Sequence, residues 1–156
     1  MKTTELHWEV YTWEDLPKDR LYTVLALRSE VFVVEQNCPY QDVDGKDLKA
    51  LHLLGVQNGV LAAYARLFGP GDYFEQASIG RVVTSPTHRG LGQGKQLMKQ
   101  AIASLEHRWG KTVIHISAQA YLEDFYQGFG FVRSGENYLE DDIPHLKMLR
   151  NPSPQS

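Results

Sequence analysis

Polar and apolar residues alternate from Leu6 to Tyr11, a period of two that predicts a half-buried first strand. From Leu21 to Gln36 the period lengthens: Leu21, Val24, Leu25, Val31 and Phe32 fall on one side of a helix. An acidic, turn-rich stretch from Cys38 to Asp47 follows. Two apolar runs, Leu51 to Gln57 and Val60 to Phe68, flank Asn58-Gly59, the strongest short signal for a hairpin. Gly69-Pro70-Gly71 then interrupts the chain before a strand from Ser78 to Thr84. A glycine-rich turn leads into a helix from Leu91 to His107, with Leu91, Gly94, Met98, Ala101, Ile102 and Leu105 on one face. A strand at Thr112 to Ala118, a short helix at Leu122 to Gly128 and two closing strands, the last ending near Arg150, complete the order. The polar, proline-containing segment Asn151 to Ser156 reads as a disordered tail. There is no internal repeat, and the order of elements predicts an α+β fold built on a mixed sheet.

Composition narrows this picture. The 156 residues, 42% of them hydrophobic, suit one compact domain over 1–150 with a sizeable core. A formal charge of −3, with the sixteen Lys and Arg scattered, provides no basic field for nucleic acid. One cysteine rules out an internal disulfide framework, and six scattered histidines give no metal-ligand spacing. Met1 to Trp13 carries no apolar signal core and no run is long enough to cross a bilayer, so the expectation is a cytoplasmic protein without a membrane or nucleic-acid partner.

Candidate chemistry enters with Arg89-Gly90-Leu91-Gly92-Gln93-Gly94-Lys95, where a strand turns into a helix. Such a turn leaves convergent, unpaired backbone N–H groups at the positive end of the helix dipole, a site suited to phosphate. Two familiar phosphate loops fail here. A nucleotide-triphosphate loop would put Gly where Arg89 stands and Ser or Thr where Gln96 stands. A dinucleotide fingerprint needs a further Gly where Lys95 stands, and an acid ending the next strand, which instead closes in Ser117-Ala118-Gln119. What is left is Arg-x-x-Gly-x-Gly, at Arg89, Gly92 and Gly94.

That pattern resembles the coenzyme A pyrophosphate loop of the GNAT superfamily of N-acetyltransferases. Gln119-Ala120-Tyr121-Leu122-Glu123-Asp124-Phe125-Tyr126-Gln127-Gly128-Phe129-Gly130-Phe131 is similar to the superfamily's later motif, Asn-x-x-Ala-x-x-Phe-Tyr-x-x-x-Gly-Phe, in order and spacing. It departs at Gln119, where Asn is usual. The run from Leu27 to Asp44, with Gly80-Arg81-Val82 and Ile143-Pro144-His145, resembles the ElaA-like branch more narrowly.

The resemblance implies a mixed, mostly antiparallel central sheet of about seven strands flanked by about four helices. It also implies acetyl-CoA as co-substrate, with no metal. The pyrophosphate would lie over the amides of Gly90, Leu91, Gly92, Gln93, Gly94 and Lys95, with Arg89 and Lys95 supplying charge. Pantetheine would pair with the backbone of Val82, Val83 and Thr84 like an added strand, near Gln119 and Phe125. Tyr126 would hydrogen-bond the departing sulfur while the acceptor amine attacks directly. A lysine-like amine costs about 4.6 kcal/mol to present neutral at pH 7, so a base is needed. The strand before the loop offers no Glu, and the choice stays open among His52, Glu35, Asp44 and His145. Arg28, Glu35, Asp44, His52 and Arg81 are the candidates for acceptor binding, and Asp42, Asp44, Asp47, Glu136, Glu140, Asp141 and Asp142 belong to two acidic loops suited to a cationic amine. His115 reads as a core histidine and Cys38 as a packing residue. The function implied is acetyl-CoA-dependent transfer to a primary amine of a small molecule or peptide, the alternative being a non-catalytic acyl-CoA sensing module. An exposed strand edge would allow a homodimer.

Overall fold

The computed structural model describes residues 5–90 and 92–152. Three strands form a meander: β1 (His7–Tyr11), β2 (Leu51–Gln57) and β3 (Val60–Phe68), joined antiparallel. Asn58 and Gly59 both take positive φ, +51° and +80°, the backbone of a type I′ turn between Gln57 and Val60. β4 (Ala77–Thr84) continues the sheet antiparallel to β3, and β5 (Ile114–Gln119) lies parallel to β4. The remaining strands, β6 (Phe131–Arg133), β7 (Tyr138–Glu140) and β8 (Ile143–Arg150), all pair through β8, so the order is β1-β2-β3-β4-β5-β8-β6 with β7 also on β8. The closing segment therefore holds three strands where two were expected. The added strand β7 is joined to β8 by Asp141-Asp142, at φ +51° and +64°, a tight turn without the Gly that normally announces one.

Helices cover both faces of the sheet, which is why β2 and β3 are continuous apolar runs. On one face α2 (Gln93–Trp109) sets Leu97, Met98, Ala101, Ile102 and Leu105 against Leu53, Ala65, Leu67 and Ile116. On the other, Val24, Leu27 and Val31 pack on Leu54, Val56, Tyr64 and Val83. The helix expected from Leu21 to Gln36 is in two parts: α1 (Lys18–Arg28), then a π-helical turn over Ser29–Glu35. Its wider bonding, Gln36 N to the Val31 carbonyl at 3.1 Å and Cys38 N to that of Val33 at 3.0 Å, relieves crowding in the β-branched run Val31 to Val34. It leaves Val31 buried while Glu35 and Gln36 border the cleft described below. The short helix is a 3₁₀ turn, Ala120–Leu122, followed by α3 (Glu123–Gln127). Leu91 and residues 153–156 lie outside the described residues, so the expected helix start at Leu91 and most of the expected tail do too.

One irregularity creates the site. β4 and β5 pair only at Ala77 with Ile114 and Ser78 with His115, then separate. Beyond that point β4 is bent by a register shift against β3 and by Arg81, a non-glycine residue at φ +49°. Two parallel strands held at one end and splayed at the other leave a wedge open through the middle of the sheet. No described helix is long and apolar enough to cross a membrane.

Candidate active site

The wedge is a cleft of ≈ 490 Å³. β4 forms one wall from Ile79 to Thr84, and its backbone on the β5 side is unpaired after Ser78. Ile116, Ser117 and Gln119 form the opposite wall, and Glu35 and Gln36 of the π-helical turn close over the top. Gln119 donates its amide N–H to Gln36 Oε1 at 3.3 Å across the opening.

At one end the cleft runs into a second hollow of ≈ 320 Å³, lined by Thr84, Arg89, Gly90, Gly92, Gln93, Gly94, Lys95 and Phe125. Gly90 and Gly92 take φ of +88° and +74°, and a Cβ at either would meet open space, so backbone conformation rather than crowding demands glycine. Gly92 caps α2, whose first N–H groups have no intrahelical acceptors. The side-chain amide of Gln93 is buried with neither its nitrogen nor its oxygen hydrogen-bonded. Unfilled amides at a dipole's positive end, beside the cations of Arg89 and Lys95, fit a phosphate group. Arg89 meanwhile grips Glu35 through two bonds of 2.8 and 2.7 Å, both side chains being about two-fifths exposed. The hydrogen bond from Arg89, and then its charge, hold the Glu35 carboxyl below its usual range.

Behind the cleft lies a charge network that sequence reading did not reveal. Arg28, fully buried, donates Nε to Asp42 at 2.9 Å and Nη1 to Asp47 at 2.8 Å. Arg66 bonds Asp44 through both terminal nitrogens at 2.9 Å and Asp47 at 3.0 Å. Arg81 completes the set, with Nε to Asp42 at 2.8 Å, and Tyr40 donates to Asp42 at 3.1 Å. Three arginines thus tie the acidic stretch to α1 and to β3 and β4 of the sheet. Burial opposes ionisation of Asp44, but hydrogen bonds from Arg66 and the Lys46 amide, with the charges of Arg66 and Arg81, outweigh it and bring the carboxyl to about 2. His52 is wholly buried, its Nε2 2.9 Å from the Asp47 carbonyl and its Nδ1 2.6 Å from the Tyr64 hydroxyl. A carbonyl only accepts, so Nε2 carries the proton and Nδ1 accepts from Tyr64. Burial pushes the His52 pKa down.

His145 is placed differently. It lines the cleft from β8, opposite Gln119. Its Nδ1 is 2.7 Å from the Ile143 carbonyl and must donate there, which leaves Nε2 free of that bond and 3.3 Å from Glu140 Oε2. Tyr138 stacks on its ring, and the Tyr138 hydroxyl hydrogen-bonds Ser117. Tyr126 also lines the cleft, its ring edge-on to Phe125 and Phe131 with centroids 5.1 and 6.1 Å away. Burial, and then the neighbouring Tyr121, push its phenol up to about 12.

Of the residues singled out in the sequence, Val82, Val83, Thr84, Glu35, Arg81, Gln119, Tyr126 and His145 share the cleft, and the glycine turn with Phe125 shares the adjoining hollow. Arg28 and His52 are sealed behind it and line neither. Asp44 is half-buried in the network. Ser117, Tyr138 and Glu140 gather around His145 only because β7, β8 and β5 are adjacent, a juxtaposition with no local signature. Among the described residues no group of three or more His, Cys, Asp or Glu would hold a metal ion.

Residues 27–151 match the family model of the acetyltransferase (GNAT) domain. The chain is 45% identical to protein ElaA of Escherichia coli (strain K12) over 147 residues, covering 93% of this chain and 96% of that one. The crystal structure of Escherichia coli ElaA superposes with a TM-score of 0.87 at 44% identity, covering 94% of this chain and 99% of that one. An acyl-CoA N-acyltransferase from Pseudomonas aeruginosa superposes at 0.89 with 49% identity, covering 93% and 99%. The chain therefore belongs to the acetyltransferase (GNAT) family, in its ElaA-like branch, and is a GNAT-type N-acetyltransferase.

Proposed function

We propose that this chain transfers the acetyl group of acetyl-CoA directly to a primary amine, with His145 as base and Tyr126 as hydrogen-bond donor to the sulfur. The observation that carries this reading is the splay of β4 from β5. It joins a glycine cradle at one end to His145 and Tyr126 on a single cleft. Acetyl-CoA supplies an activated acyl group as a thioester. The amides of Gly90, Gly92, Gln93, Gly94 and Lys95, with the Lys95 and Arg89 cations, suit its pyrophosphate, and the unpaired edge of Val82, Val83 and Thr84 suits pantetheine.

Four side chains compete for the role of base. Glu35 is held by Arg89, Asp44 is ionised and held by Arg66, and both nitrogens of His52 are engaged. His145 lines the cleft, with Nδ1 fixed as donor to Ile143 and Nε2 beside the half-exposed Glu140 carboxylate. It takes one proton from the ammonium and so frees the lone pair that bonds the acetyl carbon; as the carbon–sulfur bond breaks, the second proton lost by that nitrogen passes to the departing sulfur, giving the amide and the CoA thiol. The Nε2–H so formed donates to Glu140, and the sulfur anion is met by the Tyr126 hydroxyl. His145→Gln is expected to lower kcat about 10²-fold while the Kd for acetyl-CoA, by calorimetry, stays within twofold. An unchanged kcat would transfer the role elsewhere.

The Glu35–Arg89 pair bears on donor affinity. The guanidinium that would meet the pyrophosphate is already held by a carboxylate, so donor binding and this pair compete for it. Glu35→Gln is expected to tighten acetyl-CoA binding by about two- to fivefold, the small factor reflecting an exposed, solvent-screened pair. Weaker binding in the variant would mean that Glu35 supports the donor site. The reading as a whole is tested by the gain of one acetyl mass on amines incubated with acetyl-CoA and the protein. Release of free CoA with no acetylated product would refute it.

A further inference from the structure

A third hollow of ≈ 220 Å³ adjoins the cleft along a border that includes Tyr40, Arg81, Ser117, Glu140 and Asp141. Away from that mouth Phe68, Tyr73 and Phe74 line it beside the Asp44–Arg66 ion pair and Ser78. Phe68 and Tyr73 lie 5.1 Å apart by ring centroid, Tyr73 and Phe74 4.3 Å, and Phe74 stacks on His115 at 3.8 Å. The volume is below the usual range for ligand pockets, about 300–1,000 Å³, so the part of a ligand lodged here is about the size of one ring.

Charge separates the mouth from the interior. Arg28, Arg66 and Arg81 are matched by Asp42, Asp44 and Asp47 within the buried network. Glu140 and Asp141 stand outside that balance, so the mouth is negative and suits an ammonium beside His145. The interior does not suit a second cation. Phe68 already carries the Arg66 guanidinium 5.2 Å from its centroid, Tyr73 the Lys46 ammonium at 5.3 Å, and Tyr40 the Arg81 guanidinium at 5.4 Å. The cations already against these rings repel another. An uncharged aromatic group gains instead from edge-on contact with Tyr73 and Phe74.

We infer that the acceptor is a small arylalkylamine: a primary ammonium held between Glu140, Asp141 and His145, on an uncharged aromatic body lodged against Tyr73 and Phe74. The inference rests on the acetyl-transfer reading above and names its substrate class. It places diamines and polyamines second, since their far ammonium would enter the hollow.

The test compares kcat/KM for 2-phenylethylamine, n-hexylamine, 1,6-diaminohexane and phenylalanine, following CoA release and product mass, with acetyl-CoA binding measured separately by calorimetry. 2-Phenylethylamine is expected to lead, with 1,6-diaminohexane lower by about tenfold or more. Tyr73→Ala, at a partly exposed position, is expected to raise KM for 2-phenylethylamine about three- to tenfold and to leave kcat and acetyl-CoA affinity unchanged. Preference for the diamine or the amino acid, no effect of Tyr73→Ala, or transfer to none of the four with acetyl-CoA still bound would each overturn the inference alone. Failure of acetyl-CoA to bind would overturn the acetyl-transfer reading and this inference with it.

Discussion

Tyr126→Phe is expected to lower kcat by about 10²-fold or more while acetyl-CoA binds as before. The ring sits on α3 among Phe125 and Phe131 and is only 7% exposed, so removing the hydroxyl leaves its packing intact. Among the described residues the hydroxyl makes no hydrogen bond, so it is available to a sulfur in the cleft. Burial has raised its pKa to about 12, and this fixes how the group acts. Full transfer of that proton to a thiolate of pKa near 8.5 is uphill by about 5 kcal/mol. The phenol therefore donates a hydrogen bond to the developing anion and keeps its proton, unless a second proton replaces it at once. A phenol at about 12 also stays protonated throughout the working range, so Tyr126 contributes no limb to the pH–rate profile below about pH 10. Steady-state kinetics on the variant, with calorimetry for acetyl-CoA, test both statements. An unchanged kcat removes Tyr126 from the chemistry, and a limb below pH 10 that vanishes in the variant contradicts the bonded, neutral role.

Some of this site is written locally in the chain and some is not. The Asn58-Gly59 hairpin, the amphipathic face of α2 and the strand–glycine–helix turn each follow from rules that act within a few residues, and each is legible in the sequence. The π-helical turn is harder to read because an apolar face from Leu21 to Phe32 is equally compatible with an uninterrupted α-helix. The wide bonds from Gln36 N to the Val31 carbonyl and from Cys38 N to that of Val33 distinguish them. Asp141-Asp142 hides the β7–β8 turn, since two aspartates adopt positive φ without the glycine that marks such turns. The buried network is least legible of all. Arg28 meets Asp47 across 19 positions and Arg81 meets Asp42 across 39, so acidic residues that look like solvated turn formers are internal counter-ions. His52 and His145 look alike in the sequence, each at the start of an apolar strand. Their neighbours separate them: a carbonyl and a phenol engage both nitrogens of buried His52, while at His145 Nδ1 meets a carbonyl and Nε2 a half-exposed carboxylate.

Asp47→Ala is expected to be the most destabilising single change at this network, by about 3–5 kcal/mol, which for a chain of this size lowers Tm by roughly 10 °C or more. Asp47 is 3% exposed and accepts from both Arg28 and Arg66, so truncation leaves two buried guanidiniums short of a partner. A buried charge without its counter-ion keeps the full desolvation penalty. The same network sets the response to acid. Burial opposes ionisation of Asp47, yet bonds from Arg28 and the charges around it hold its carboxyl below the ordinary value, and that of Asp44 falls to about 2. A carboxyl depressed on folding contributes stability that is present above its unfolded pKa, near 4, and is lost as pH falls through its folded value. For Asp44 that amounts to about 2 kcal/mol, lost between about pH 4 and pH 2. Thermal melts followed by circular dichroism from pH 7 to pH 2 should fall steeply over that interval in the parent and less so in Asp44→Asn. A melt for Asp47→Ala within about 2 °C of the parent would mean that the arginines find water or new partners, and that the network is not what anchors this loop. The anchoring matters to the chemistry because Tyr40 hangs from Asp42, and Asp42 from Arg28 and Arg81, so the loop bordering the aromatic hollow is held by the same bonds. Loosening it is therefore expected to raise KM for the acceptor amine before it alters the binding of acetyl-CoA, whose cradle on α2 stands apart from the network.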